Sequence, residues 1–341
     1  MSRIWFGRGV SNHAELLSWV RTHELSKNWT LLVSHFDRFA SCLYEADECW
    51  LEEKELYGKD YVEYVLKSCV EHRVSVFIPG REFIALSKKT KEFESIGVKI
   101  LLPASTEVLE KIEHKDQFYT DIKESPVPGP AFTEFFTVEE LDVCYNEMNI
   151  FSRLCTKPAV GIYATGFRVI TDNINPFQNF FHPNPFHIGF AELRFSLGHQ
   201  KHFPKMLLME FLEGDEYSVD CFRTQKEELF ITPRCKRHGG QFLSAPQELL
   251  DGVKWLANHF NMKGLFNVQL KHRNGITRTI EINPRMSGGI AMTRFAGFNF
   301  PVAAIAEALG EEITLLEPIL GGYVVKRDTY NLRQKDIFAT L

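Results

Sequence analysis

The sequence predicts an α/β protein, with a parallel sheet and covering helices first and mixed lobes of helices and hairpins after it. Three observations carry this. Short apolar runs alternate with helical stretches over the first third of the chain, the rhythm of βαβ units. Later segments read as paired strands, the clearest being Gly264 to Lys271 and Thr277 to Ile282 around an Asn274-Gly275 turn. The length of 341 residues exceeds what one core usually serves and predicts two or three packed lobes.

In order, Arg3 to Phe6 reads as a strand, His13 to Arg21 as a helix and Trp29 to Ser34 as a second strand. Tyr61 to His72 is helical, Val74 to Ile78 a strand, Phe83 to Ser95 one helix, and Val98 to Leu102 a strand closed by Pro103. Ser105 caps a helix running through Lys111, and a second helix carries Lys115. Pro126, Pro128 and Pro130 forbid helix in the turn that follows. Thr137 caps a helix from Val138 to Met148, and a strand from Ser152 to Thr156 delivers Lys157-Pro158. Asn173 to Phe190 has no clean period and reads as a long loop. Leu207 to Phe211 is a strand, with Tyr217 to Phe222 expected as its hairpin mate across Glu213-Gly214-Asp215-Glu216. Gln247 to Phe260 is a helix.

Bulk numbers exclude several classes. The apolar fraction of 44% and charged fraction of 24% are those of ordinary globular proteins, and a net charge of -5 gives no overall pull toward nucleic acid or an anionic membrane. Seven scattered cysteines without a C-x-x-C pair argue against a disulfide framework or structural zinc and for a reducing compartment. No run approaches the ~20 apolar residues of a membrane span, so a cytoplasmic location is expected.

Four stretches carry chemistry. In TIEINPRMSGG, Glu281, Asn283 and Arg285 stand at alternate positions, which on one strand would share a face. Gln269 and Asn267 approach from the partner strand, giving oxygen donors suited to Mg²⁺ and an arginine fork suited to phosphate or carboxylate. Lys157 precedes a loop containing Gly161 and Gly166, where backbone can approach phosphate oxygens. Around Glu210, Phe211 and Leu212, backbone groups suit an adenine edge, and Glu216 or Glu213 suits ribose hydroxyls. Arg234, Lys236, Arg237 and His238 form the densest basic cluster, followed by Gly239-Gly240; it is a candidate local anion site, and the plain alternative is an exposed basic loop. Each stretch also fits a plain solvated hairpin or loop when taken singly.

In this order the stretches resemble the ATP-grasp superfamily, carboxylate-amine ligase type, over roughly residues 105 to 310. The wording KPAVGIYATGFRVI looks like the branch associated with bacterial tellurium-resistance operons. The resemblance implies an α+β ATP-grasp architecture: a Rossmann-like lobe over 1–104, a first ATP-grasp part over 105–208 with a lid at about 131–205, and a C-terminal subdomain over 209–341 bearing the metal site. It implies that Lys115, Lys157, Gly161 and Gly166 serve ATP phosphates, Glu210, Phe211 and Leu212 the adenine, and Glu216 the ribose. Gln269, Glu281 and Asn283 would hold one or two Mg²⁺, with Mn²⁺ as a substitute, and Arg285, Arg234 and Lys236 would be the catalytic cations. Tyr163 and Thr165 stand where relatives often have glycine. The implied activity is ligation of small-molecule carboxylate and amine substrates through an acyl-phosphate, with neither nucleic acid nor membrane as partner and a homodimer as the common assembly. The alternative is a nucleotide-binding sensor or partner protein of the same fold.

Overall fold

Short apolar runs at the start of the chain produce most of five short strands: β1 (Ser2–Phe6), β2 (Trp29–His35), β3 (Glu48–Leu51), β4 (Val76–Ile78) and β5 (Lys99–Ile100). In this computed structural model, which describes residues 1–9, 12–161, 164–172, 174–237 and 240–325, they form one parallel sheet in the order β3-β2-β1-β4-β5. Both faces are covered. Ile4, Phe6, Leu31, Val33, Val76 and Ile78 enter one core, while the intervening Trp5, Leu32 and Phe77 enter another. Burying each such side chain contributes about 1.5–3 kcal/mol, and burial on both faces is why these strands read as near-continuous apolar runs.

The chain forms two compact units. The first comprises Met1–Leu109, Asp215–Leu270 and Ile282–Leu341. Within it, one face of the parallel sheet shares its core with Phe222, Phe230, Leu265, Met286, Phe298 and Phe300. It also contains most of a six-stranded sheet, ordered β15-β14-β11-β12-β13-β16. Its strands are β11 (Asp215–Arg223), β12 (Leu229–Arg237), β13 (Gly240–Phe242), β14 (Gly264–Arg273), β15 (Ile276–Asn283) and β16 (Tyr323–Val324).

The second unit comprises Glu110–Gly214 and Lys271–Glu281, the latter being the distal part of the β14–β15 hairpin. Its sheet has the order β6-β10-β7-β8-β9, from β6 (Phe132–Phe135), β7 (Leu154–Pro158), β8 (Arg168–Ile170), β9 (His187–Ile188) and β10 (Met206–Glu210). Thr137 caps the Val138–Glu147 helix in a reciprocal box with Glu140, as the sequence indicates.

Several sequence expectations are corrected. Glu48–Leu51 is an additional edge strand, only four residues long and too short to announce itself. The helix expected from Phe83 to Ser95 is two, Phe83–Ser87 and Thr90–Ser95, broken at Lys89 in a non-helical conformation. The expected loop from Asn173 contains a helix, Pro176–Phe181, whose start is fixed by the Asn175 side chain accepting from Phe177 and Gln178 N–H groups. It also contains β9, parallel to β8; Asn173 itself lies outside the described residues. β10 is not the hairpin mate of β11. It already has β6 and β7 as antiparallel neighbours, so no ladder edge remains, and β11 pairs instead with β12. Among the described residues no helix is long and apolar enough to cross a membrane.

Candidate active site

In the second unit two lysines predicted from sequence are brought together. Lys115 opens the Lys115–Asp121 helix and Lys157 sits within β7, and they are 7% and 9% exposed. Lys115 Nζ donates to Gly161 O at 2.8 Å, and its backbone N–H to Ala159 O at 3.0 Å. Lys157 Nζ donates to Tyr119 Oη at 3.0 Å and stands 5.5 Å over that ring. Tyr119 Oη in turn donates to Ile280 O at 2.7 Å, tying the lysine to the strand that carries Glu281. Thr279 fixes the same strand against the proline-rich turn, donating through Oγ1 to Val127 O at 2.6 Å and through N to Pro128 O at 2.9 Å.

The electrostatics follow from burial. Desolvation pushes the Lys115 ammonium down to about 8, assisted by repulsion from Lys157 and opposed by Glu281. Lys157 is lowered as well, by desolvation first, with Glu281 and Cys155 opposing. Tyr119 is raised well above the usual phenol range by burial and by the charge of Glu281. Both ammonium groups make their hydrogen bonds to neutral oxygens, so their charge is held at a cost that an incoming anion would relieve.

The glycine loop has a structural logic of its own. Gly166 has φ 71°, and a Cβ there would lie 2.8 Å from Pro158 Cδ, so glycine is required by the backbone and by packing. Gly161 is under no such constraint; its carbonyl is what matters here. Tyr163 lies outside the described residues. Glu210 ends β10, with Oε2 accepting from Ala131 N–H at 3.4 Å. The Phe211 N–H is donated to Arg153 O, and the Arg153 guanidinium lies 4.4 Å over the Phe211 ring. Leu212 continues this segment toward Gly214.

In the first unit the basic cluster is not an exposed loop. Arg234 lies in β12 and is 2% exposed. Its Nε donates to Asp220 Oδ2 at 2.8 Å, Nη2 to Ser218 Oγ at 2.8 Å and Ser287 Oγ at 2.7 Å, and Nη1 to Gln241 Oε1 at 2.5 Å. Asn267 joins the same group, donating to Ser218 Oγ and Asp220 Oδ1. A guanidinium beside a carboxylate on an inner strand is far better satisfied there than in solvent, so Arg234 belongs neither to an exposed loop nor to an open anion site. Lys236 pairs with Glu216, and Arg237 with Asp215. His238 and Gly239 lie outside the described residues.

On the β14–β15 hairpin, Gln269, Glu281 and Asn283 are half-buried. Glu281 and Asn283 alternate along β15 as expected. Arg285 does not continue the row, because β15 ends at Asn283 and Pro284 has no N–H for the ladder. Arg285 instead donates through Nη1 to Met286 O at 3.2 Å. Sequence reasoning missed Tyr119, Ser218, Asp220 and Ser287. Ser218 and Asp220 did leave a signal, since polar residues alternating inside an apolar strand require buried partners.

Two buried lysines beside a glycine turn, and a hairpin bearing E-I-N-P-R, stand in a fold similar to that of solved ATP-grasp enzymes. Residues 202–329 match the family described as ATP-grasp in the biosynthetic pathway with Ter operon. The chain is 25% identical over 284 residues to the carbamoyl phosphate synthase large chain of Lachnoclostridium phytofermentans, covering 76% of this chain and 25% of that one. It thus spans about a quarter of the length of that relative. An ADP complex of N5-carboxyaminoimidazole ribonucleotide synthetase aligns with TM-score 0.68 at 14% identity, over 94% of this chain and 80% of that one. The biotin carboxylase domain of Hydrogenobacter thermophilus 2-oxoglutarate carboxylase, solved as a dimer with MgADP, aligns with TM-score 0.67 at 14% identity, over 94% and 73%.

Proposed function

We propose that this chain is an ATP- and magnesium-dependent ligase that joins a carboxylate to an amine through an acyl-phosphate, releasing ADP and phosphate. The observation that carries the reading is the Lys115–Lys157 pair: two cations held in low dielectric, hydrogen-bonded to neutral oxygens and lowered in pKa. A triphosphate supplies the missing negative charge. The match of residues 202–329 to an ATP-grasp family supports the same reading, as does the ADP or MgADP present in the aligned synthetase and carboxylase.

In this reading Lys115 and Lys157 bind the ATP phosphates beside the turn holding Gly161 and Gly166. Glu210, Phe211 and Leu212 line the adenine, and Glu216, oriented by Lys236, takes the ribose. The oxygen set of Gln269, Glu281 and Asn283 fits Mg²⁺, with Mn²⁺ as a substitute; only one of the three carries full charge, so further ligands would be phosphate oxygens and water. When bound, the ion supplies neutralisation of charge on the transferring phosphoryl group. Arg285 steadies the acceptor carboxylate. Arg234, saturated by its neighbours, acts through Ser287 as a positioning residue.

The carboxylate oxygen attacks the γ-phosphorus, and the bond from that phosphorus to the ADP oxygen breaks. The amine nitrogen then attacks the acyl carbon, expels phosphate and gives up a proton. Such a reaction asks the protein for positioning, charge neutralisation and exclusion of water rather than for a nucleophilic side chain. The test is ADP release against pools of carboxylates and amines, with mass detection of the joined product. Glu281→Gln should lower turnover by roughly 100-fold or more. Unchanged turnover would refute the metal assignment. ATP binding without ADP formation from any pair would favour the sensor reading.

A further inference from the structure

A second polar cluster, unused above, lies at the carboxyl ends of the parallel sheet in the first unit. Arg8 follows β1, Glu52 follows β3 and Arg81 follows β4. The Glu52 side chain is 0% exposed, and those of Arg8 and Arg81 are 13% and 14% exposed. Ser34 Oγ donates to Glu52 Oε2 at 2.8 Å while accepting from Trp5 Nε1 at 3.1 Å. Arg8 Nε is 2.9 Å from Glu52 Oε1, and Arg8 Nη2 donates to Lys54 O at 3.1 Å. Arg81 donates through Nη1 to Leu56 O at 2.7 Å, and its Nη2 is 4.0 Å from Glu52 Oε1.

Arg81 Nε and Nη2, the second fork of the guanidinium, have no hydrogen-bond partner, and neither has Glu52 Oε1 in hydrogen-bond geometry, although all three atoms are buried. Tyr61 Oη is nearby and also unmatched. The guanidinium stacks on that ring at 4.1 Å and interacts with the hydroxyl electrostatically, but neither is matched by the other in full hydrogen-bond geometry. Around this cluster the turns are held tight: a Cβ on Gly9 would lie 2.3 Å from Gly80 O, and one on Gly80 2.4 Å from Arg8 O. Buried donors and acceptors without partners each cost about 1–3 kcal/mol, so such a concentration is explained by a partner that arrives later. The carboxyl ends of parallel strands are also where sheets of this kind receive ligands.

The unmatched atoms specify that partner. Two adjacent N–H donors on one guanidinium edge fit the two oxygens of a carboxylate, and a neighbouring carboxylate oxygen fits an ammonium. We propose that the turns after β1, β3 and β4 recognise a free amino acid: its carboxylate lies on the Nε–Nη2 edge of Arg81, and its ammonium donates to Glu52 Oε1. Arg8 and Arg81, which reach the surface, move to admit it. The site stands on its own geometry; that the amino acid is a substrate rests on the ligase reading.

The test is calorimetric titration of the full chain, without nucleotide, with each of the twenty standard amino acids. The des-amino acid and the amide of any that binds are titrated as well. At least one amino acid should bind, both analogues should bind more weakly, and Arg81→Met should weaken the amino acid by about tenfold or more, with ADP binding unchanged. Arg81→Lys should restore only part, since a point charge lacks the fork. This variant carries the test if Arg81→Met does not fold. Absence of binding by every amino acid at millimolar concentration, or full affinity in the Arg81 variants, would overturn the site. Amino-acid binding without ADP release would sink the ligase reading alone. Amino-acid-dependent ADP release with an unchanged KM in the Arg81 variants would sink this site alone.

Discussion

Arg234 in the first unit and Lys157 in the second are both buried cations on inner strands, yet they are in opposite situations. Arg234 has Asp220 at 2.8 Å and three neutral acceptors around its remaining N–H groups. Lys157 leans on a phenol oxygen, with Glu281 only in electrostatic range and its pKa pulled down. A cation with its counter-charge built in is architecture; a cation short of counter-charge is waiting for an anion. The difference teaches that burial of charge does not by itself mark a binding site. What marks one is burial without compensation.

The contrast can be broken most forcefully at Arg234. Arg234→Met leaves Asp220 buried with its charge unpaired, and should cost about 3–5 kcal/mol in denaturant unfolding. A loss under 1 kcal/mol, within the range of a surface pair, would show that Arg234 is not the structural member of the comparison. Lys157→Met should behave the other way, weakening ATP or ADP by roughly 10–100-fold in calorimetry while leaving the unfolding midpoint unchanged or raised. Equal losses of stability in the two variants would erase the distinction.

A pH series sharpens the same point. The folded pKa of Lys115, about 8, lies below its ordinary 10.5, so between these values the unfolded chain binds more protons and ligand-free stability should rise with pH. An anion favours the protonated lysine, so nucleotide affinity should fall above pH 8 at a rate approaching tenfold per unit. Lys115→Met should flatten both curves; curves that persist in it would place the titration elsewhere. The smallest effect is expected from Tyr119→Phe, which removes the hydroxyl joining Lys157 to Ile280 O. A loss of about 0.5–1.5 kcal/mol in nucleotide binding, with ADP titration as the readout, would fit a hydroxyl that merely aims the lysine.

Legibility from sequence followed the range of the interaction. Helix starts were readable where the cap is local: Thr137 with Glu140, or Ser105 accepting from Val108 N–H at 3.4 Å. The parallel sheet was readable because each strand must be apolar on both faces. The partner of β10 was not readable, since adjacency in sequence suggested β11 and only the competition among strands decided for β6 and β7. The fate of Arg234 was hidden for the same reason. Its neighbours Asp220 and Ser287 are 14 and 53 residues away.

By itself the sequence determined which side chains are available: one lysine on a helix before a proline-rich turn, another before a glycine loop, a carboxylate and amides on one hairpin, and a cluster of basic residues. Those follow from short-range periodicity, which the chain carries in its own spacing. Tertiary structure decided which charges are neutralised, which remain exposed to an incoming anion, and where Arg81 is left with an unmatched fork. Counter-charges come from distant segments, and the energy of a charge depends on what surrounds it rather than on its neighbours along the chain.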